Sequence, residues 1–209
     1  MKPVMVYIHG GGLTMGSSYA FNGKMLATYD VVVVSVNYRL GPLGWLFGDG
    51  DDAPGNMGLY DQLLALKWIR NNIHAFRGDY RRITLFGEGA GGWSVSAHIL
   101  SPLARGYFHR AILSSGAYFD DKNLGFLNKS AALKQSQELG KQFKCVKGFF
   151  SNWIDCLKAI NPIDISTYPQ FFSYPVFGTE YLPYNAQYAI RKGRYNYGMS
   201  ARERERERE

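Results

Sequence analysis

The feature that most constrains this chain is an abrupt change of pattern at residues 82–100. The apolar strand Arg82-Ile83-Thr84-Leu85-Phe86 runs straight into Gly87-Glu88-Gly89-Ala90-Gly91-Gly92. Trp93-Ser94-Val95-Ser96-Ala97-His98-Ile99-Leu100 follows at once as a helix. A strand passing into a helix through glycines matches the sharp turn written G-x-S-x-G, whose central residue stands strained above a sheet. Small flanking residues are needed there, because a neighbouring Cβ would clash. Gly87 and Gly91 meet that need, but Gly89 occupies the apex where the motif carries a nucleophilic serine.

The stretches around this turn alternate strand and helix. Val4-Met5-Val6-Tyr7-Ile8 is a run of buried-strand type, and residues 30–38 form a second, fully buried strand of parallel-sheet type. Gly41-Pro42-Leu43-Gly44 then opens a loop to about Asn56. A long helix is predicted over 58–76, with Leu59, Leu63, Leu66, Ile69 and Ile73 at three- and four-residue steps and Asp61 in its first turn. After the 82–100 unit comes a strand at 110–115. Strand, helix, strand, helix, strand predicts an α/β fold with a doubly wound, mostly parallel sheet. The sheet core is expected over 1–117, and a covering helical and loop lobe over 118–200. In that lobe, 129–144 and 152–160 read as helices and 162–184 as aromatic- and proline-rich loop.

At 209 residues, 46% of them hydrophobic, the chain is long enough for one globular domain. No apolar run reaches the ~20 residues of a membrane span. The formal charge of +7 comes from scattered lysines and arginines, which points away from nucleic acid. Cys145 and Cys156 lack metal-site spacing, so a free pair and a disulfide both remain open. The sequon Asn128-Lys129-Ser130 leans towards a secretory route. The first strand ends in His9-Gly10-Gly11-Gly12, but neither the lysine of a phosphate loop nor a G-x-G-x-x-G fingerprint follows, so no cofactor is expected. An H-G-G-G run is instead the signature of an oxyanion hole.

The chain opens on a strand without a polar lead-in, which reads as an interior methionine or a missing beginning. Residues 201–209 are an alanine and four Arg-Glu pairs, expected to be a solvated low-complexity tail.

Taken in order, these motifs resemble the carboxylesterase type-B family, which includes the cholinesterases, within the α/β-hydrolase superfamily. The likeness runs through His9-Gly10-Gly11-Gly12, Asn37-Tyr38-Arg39-Leu40-Gly41-Pro42-Leu43-Gly44, Ala53-Pro54-Gly55-Asn56 and Gly58-Leu59-Tyr60-Asp61-Gln62. It continues through Phe86-Gly87-Glu88, Ser101-Pro102-Leu103 and Phe108-His109-Arg110-Ala111-Ile112 to Ser115-Gly116. The resemblance implies a secreted serine carboxylic ester hydrolase scaffold acting on an ester-like small molecule or lipid. It places the oxyanion donors at the backbone N–H groups of Gly11, Gly12 and Ala90, with Glu88 supporting the site and Ser115 beneath it. It also implies a Cys145–Cys156 disulfide. Relative to the family pattern, the first strands, an early disulfide loop and the half bearing the catalytic acid and histidine are missing. A chain so altered is expected to be inactive. The alternative is a non-catalytic, neuroligin-like adhesion or binding protein with a protein partner, since several such relatives carry glycine at the apex.

No other residue replaces the serine convincingly. Ser94 and Ser96 lie inside the helix, past the apex. His98 and His109 read as packing residues, His74 as surface, and Arg39 and Asp61 as structural. The strands near Val31 and Ile112 should lie at the sheet margins with unprotected apolar edges, which predicts poor solubility.

Overall fold

The computed structural model describes residues 1–117, 125–146 and 152–196. The Arg-Glu tail lies outside these residues.

Alternation shapes the first strand, β1 (Lys2–Ile8). Val4, Val6 and Ile8 are buried, while Met5 and Tyr7 face the other way and are half-buried. A short helix, α1 (Lys24–Ala27), leads to β2 (Val32–Val36). Then come α2 (Gly41–Trp45), the hairpin β3 (Phe47–Gly50) and β4 (Ala53–Pro54), and the long helix α3 (Met57–Asn72). A 3-10 turn at Ile73–Phe76 joins α3 to β5 (Gly78–Glu88). Next follow α4 (Ala90–Leu100) and β6 (Arg110–Ser114).

The four main strands form one parallel sheet in the order β2-β1-β5-β6. Since β2 lies on one side of β1 and β5 on the other, the chain reverses its direction of travel across the sheet. Right-handed crossovers then place α1 on one face and α3 and α4 on the opposite face. Accordingly, Phe21, just before α1, stacks on Tyr7 at 3.9 Å between ring centroids. Val4, Val6, Ile8, Ile83 and Leu85 pack with Leu59, Leu63, Leu66, Ile69 and Val95 on the α3/α4 side.

The remaining elements are β7 (Leu127–Asn128), α5 (Lys129–Gln142), α6 (Trp153–Lys158), α7 (Pro162–Ser166), β8 (Val176–Phe177) and α8 (Ala186–Arg191). Four asparagine N-caps start these helices: Asn128, Asn152, Asn161 and Asn185 each accept a hydrogen bond from a first-turn N–H. A disulfide joins Cys145 to Cys156. Leu139, Leu157, Phe171, Tyr181 and Leu182 from this region join the same hydrophobic cluster as the sheet. Asn56, fully buried in a left-handed conformation, ties the region down through both ends of its amide. Its Nδ2 donates to Val176 O (2.9 Å) and Thr179 Oγ1 (3.0 Å), and its Oδ1 accepts from Val176 N (2.8 Å).

Several expectations are corrected here. The second strand is not fully buried: Val32, Val33 and Val34 are half-buried because β2 is an edge. The supposed loop at 41–56 holds α2 and a hairpin. Pro42, read as a breaker, sits in the first turn of α2, where its missing N–H costs nothing. The supposed loop at 162–184 holds α7, again started by a proline, and β8. The long helix begins at Met57, so Asp61 falls beyond its first turn and binds the Arg39 guanidinium through both oxygens at 2.8 Å.

Candidate functional site

In open α/β sheets, ligands bind beyond the carboxyl ends of strands where the chain reverses direction. Here that point lies between β1 and β5. Their register pairs Ile8 with Gly87, so the loop at 9–16 and the turn at 87–91 leave the sheet side by side.

The turn itself has no loop. β5 ends at Glu88, α4 begins at Ala90, and Gly89 alone joins them at φ 57, ψ −119. The Gly89 N–H donates to Ser114 O at 2.9 Å, and Gly89 O accepts the first helical bond from Trp93 N at 3.0 Å. The surroundings are crowded with backbone. A Cβ on Gly87 would lie 2.5 Å from the Gly91 carbonyl carbon, and one on Gly10 would lie 2.5 Å from Glu88 O. One on Gly91 would overlap Ile8 O, and one on Gly116 would overlap Gly89 O. At Gly89 a Cβ would meet nothing within 4 Å. The apex is open space above a close-packed base.

Across the crevice, Gly11 and Gly12 adopt φ 108 and φ 63, and Leu13 follows at φ 62. Gly11 O accepts from Met15 N (3.0 Å), and Leu13 O accepts from Gly41 N (2.8 Å), which fixes the loop while its glycines stay exposed. The N–H groups of Gly11, Gly12 and Ala90 donate to no other described residue. Ala90 N–H is the first orphan donor of α4, at the positive end of its dipole.

Glu88 projects from the open sheet face, on the same side as Phe86 and Tyr7, and is exposed. Burial, and then the Glu88 carboxylate, push the Tyr7 hydroxyl above its usual range. Ser115 is exposed at φ 51, between Ser114 and Gly116, the two residues that touch the Gly89 backbone.

The histidines are committed elsewhere. The His9 ring stacks on Tyr38 at 4.4 Å and its Nδ1 lies 2.9 Å from Gly10 O. His109 Nδ1 accepts from Ile83 N at 3.4 Å. His74 lies beyond the opposite end of β5. His98, fully buried, belongs to a relay that the sequence did not reveal. Tyr181 OH donates to His98 Nδ1 (2.9 Å), His98 Nε2 donates to Gln62 Oε1 (2.9 Å), and Gln62 Nε2 donates to Ser94 Oγ (3.1 Å). Burial holds the imidazole neutral, with its pKa pushed down to about 3. Ser96 Oγ donates back to Gly92 O within α4. Among the described residues, no three His, Cys, Asp or Glu side chains gather as metal ligands.

Known proteins resemble this chain in sequence. The chain is 40% identical over 208 residues to an acetylcholinesterase of Danio rerio, covering 93% of this chain and 32% of that protein. It is 56% identical over 115 residues to a cocaine esterase of Oryctolagus cuniculus, covering 54% of this chain and 21% of the relative. With a medium-chain fatty acyl-CoA hydrolase precursor of Anas platyrhynchos it shares 46% over 158 residues, 75% of this chain and 27% of that one. The chain thus spans about a third or less of the length of these relatives. A family model described as Carboxylesterase family matches residues 1–197. The parallel sheet, the strand-to-helix turn and the glycine loop therefore have a common source: this chain belongs to the carboxylesterase family, with its α/β-hydrolase fold.

Proposed function

We propose that this chain is a carboxylic ester hydrolase scaffold that has lost catalysis and keeps a crevice for an ester-like small molecule or lipid. One observation carries the reading: the turn that should present a nucleophile is formed in full, yet its apex residue, Gly89, has no side chain. Hydrogen offers no lone pair, so no acyl–enzyme bond can form there. Nearby hydroxyls do not compensate. Ser94 accepts from Gln62 beneath the helix, and Ser96 bonds to its own helix backbone.

The Gly11, Gly12 and Ala90 N–H groups serve in this reading as oxyanion donors, a role suited to exposed glycine backbone beside a helix start. Glu88 and Ser115 stand beside the turn as supporting residues. All four histidines of the chain are described, and none is left to act as base at Gly89. The disulfide and the exposed Asn128 sequon support passage through an oxidising, secretory compartment.

Rapid mixing of the purified chain with an excess of a nitrophenyl ester tests the loss of catalysis. No burst of nitrophenol proportional to chain concentration is expected, and any turnover should stay within the ~10³–10⁴-fold over water that serine hydrolases retain without their triad. A stoichiometric burst would overturn the reading.

A further inference from the structure

We infer that Asn128 is an N-glycosylation site and that its glycan must be attached before helix α5 forms. Asn128 is exposed at the junction of β7 and α5, and it caps the helix by accepting the Ala131 N–H on Oδ1 at 2.8 Å. That bond uses the oxygen and leaves Nδ2, the nitrogen that carries an N-linked sugar, with no hydrogen bond to another described residue. Cap and glycan are therefore compatible on one amide. The sequon is completed by Ser130, also exposed. A second, separate observation supports passage through the compartment where such transfer happens. Cys145 and Cys156 are bonded, and structural disulfides persist in the oxidising compartments of the secretory route.

The reaction balances with one co-reactant, a polyprenyl-diphosphate-linked oligosaccharide. Nδ2 attacks the anomeric carbon, the new C–N bond forms, and the C–O bond to the diphosphate breaks. The diphosphate leaves with the electron pair, and Nδ2 gives up one proton. The timing follows from the backbone. Lys129 and Ser130 are the first two residues of α5, and Asn128 is pinned to Phe177 by the β7–β8 pairing. A transferase that must draw asparagine and hydroxyl residue into its own site finds that segment accessible only while the chain is unfolded.

The test is expression of the whole chain behind an added secretory leader in a eukaryotic cell, with intact mass measured before and after amidase removal of N-glycans. One glycan on the wild-type chain is expected. It should be absent from Asn128→Asp, which keeps a capping oxygen, and from Ser130→Ala, which leaves the cap untouched. Folded, unglycosylated chain given to detergent-opened microsomes, whose transferase still modifies a short Asn-Lys-Ser acceptor peptide, should gain no mass, whereas chain synthesised in the presence of sealed microsomes should. An unmodified wild-type chain, or a glycan that survives Ser130→Ala, would overturn the site. Equal transfer to the folded chain would overturn the timing.

Discussion

At Gly91 an added Cβ would run into the Ile8 carbonyl oxygen and lie 3.1 Å from the His9 carbonyl carbon, both of them backbone of the neighbouring strand and loop. No rotamer change relieves such an overlap, so β1 and α4 would have to separate. At Gly89, two residues earlier, the same atom meets open space, and the only penalty is the strained backbone at φ 57, ψ −119. Strain of that kind costs about 1–3 kcal/mol per residue. Gly89→Ala should therefore stay folded and lose about that much stability in denaturant titrations. Gly91→Ala should lose more, to the point of giving no cooperative transition. The reverse order would show that the apex is the crowded position and that this account of the turn is wrong. Of the residues expected at the site, the glycines were legible because strand, turn and helix are written consecutively. The exposure of Glu88 and Ser115 was not, because it depends on which sheet face lies bare.

At the scale of elements, the sequence showed what neighbours in the chain determine and hid what distant segments determine. β1, β5, β6, α3, α5 and α6 announce themselves by local periodicity, with ends misplaced by a few residues. The Asn56 clamp and the Tyr181–His98–Gln62–Ser94 relay join residues up to 123 positions apart, and no local pattern signals them. The prolines of α2 and α7 were misread for a different reason. Proline breaks a helix interior but suits its first turn, and only the residues after it tell the two apart. The relay carries a pH signature. An unfolded imidazole titrates near 6.5, whereas buried His98 holds out until about 3. Between those values the unfolded chain binds the extra proton, so stability falls as pH drops, by up to about 1.4 kcal/mol per pH unit. His109, lowered chiefly by burial, acts in the same direction. Asp79, held down to about 2 by hydrogen bonds from Arg81 and then Arg82, adds a separate loss below about pH 4. Melting temperature should decline from pH 7 to 5, and His98→Gln should melt lower at pH 7 but with a shallower decline. An unchanged slope in the variant would remove His98 as the source.

Among the described residues, the two faces of the sheet are covered unequally. Its α3/α4 face is sealed, whereas the other face is covered in part by the segment around Phe21 and α1 and leaves Ile112 about half exposed. Its margins among the described residues are β2 and β6, the strands near Val31 and Ile112 that were expected there. Parallel sheets are ordinarily buried on both faces. The disulfide, worth about 3 kcal/mol for a loop of this length in the chain-entropy model, fastens the segment after α5 to α6 and leaves those margins as they are. The strand-to-helix turn and the glycine loop nevertheless stand side by side at the ends of β1 and β5, and the functional reading turns on a single absent side chain above them. The most direct measurement is intact mass after incubation with a fluorophosphonate, which bonds covalently to activated serines. The account predicts no added phosphonyl mass on the native chain. A stoichiometric adduct, mapped to Ser94, Ser96 or any other serine, would contradict it.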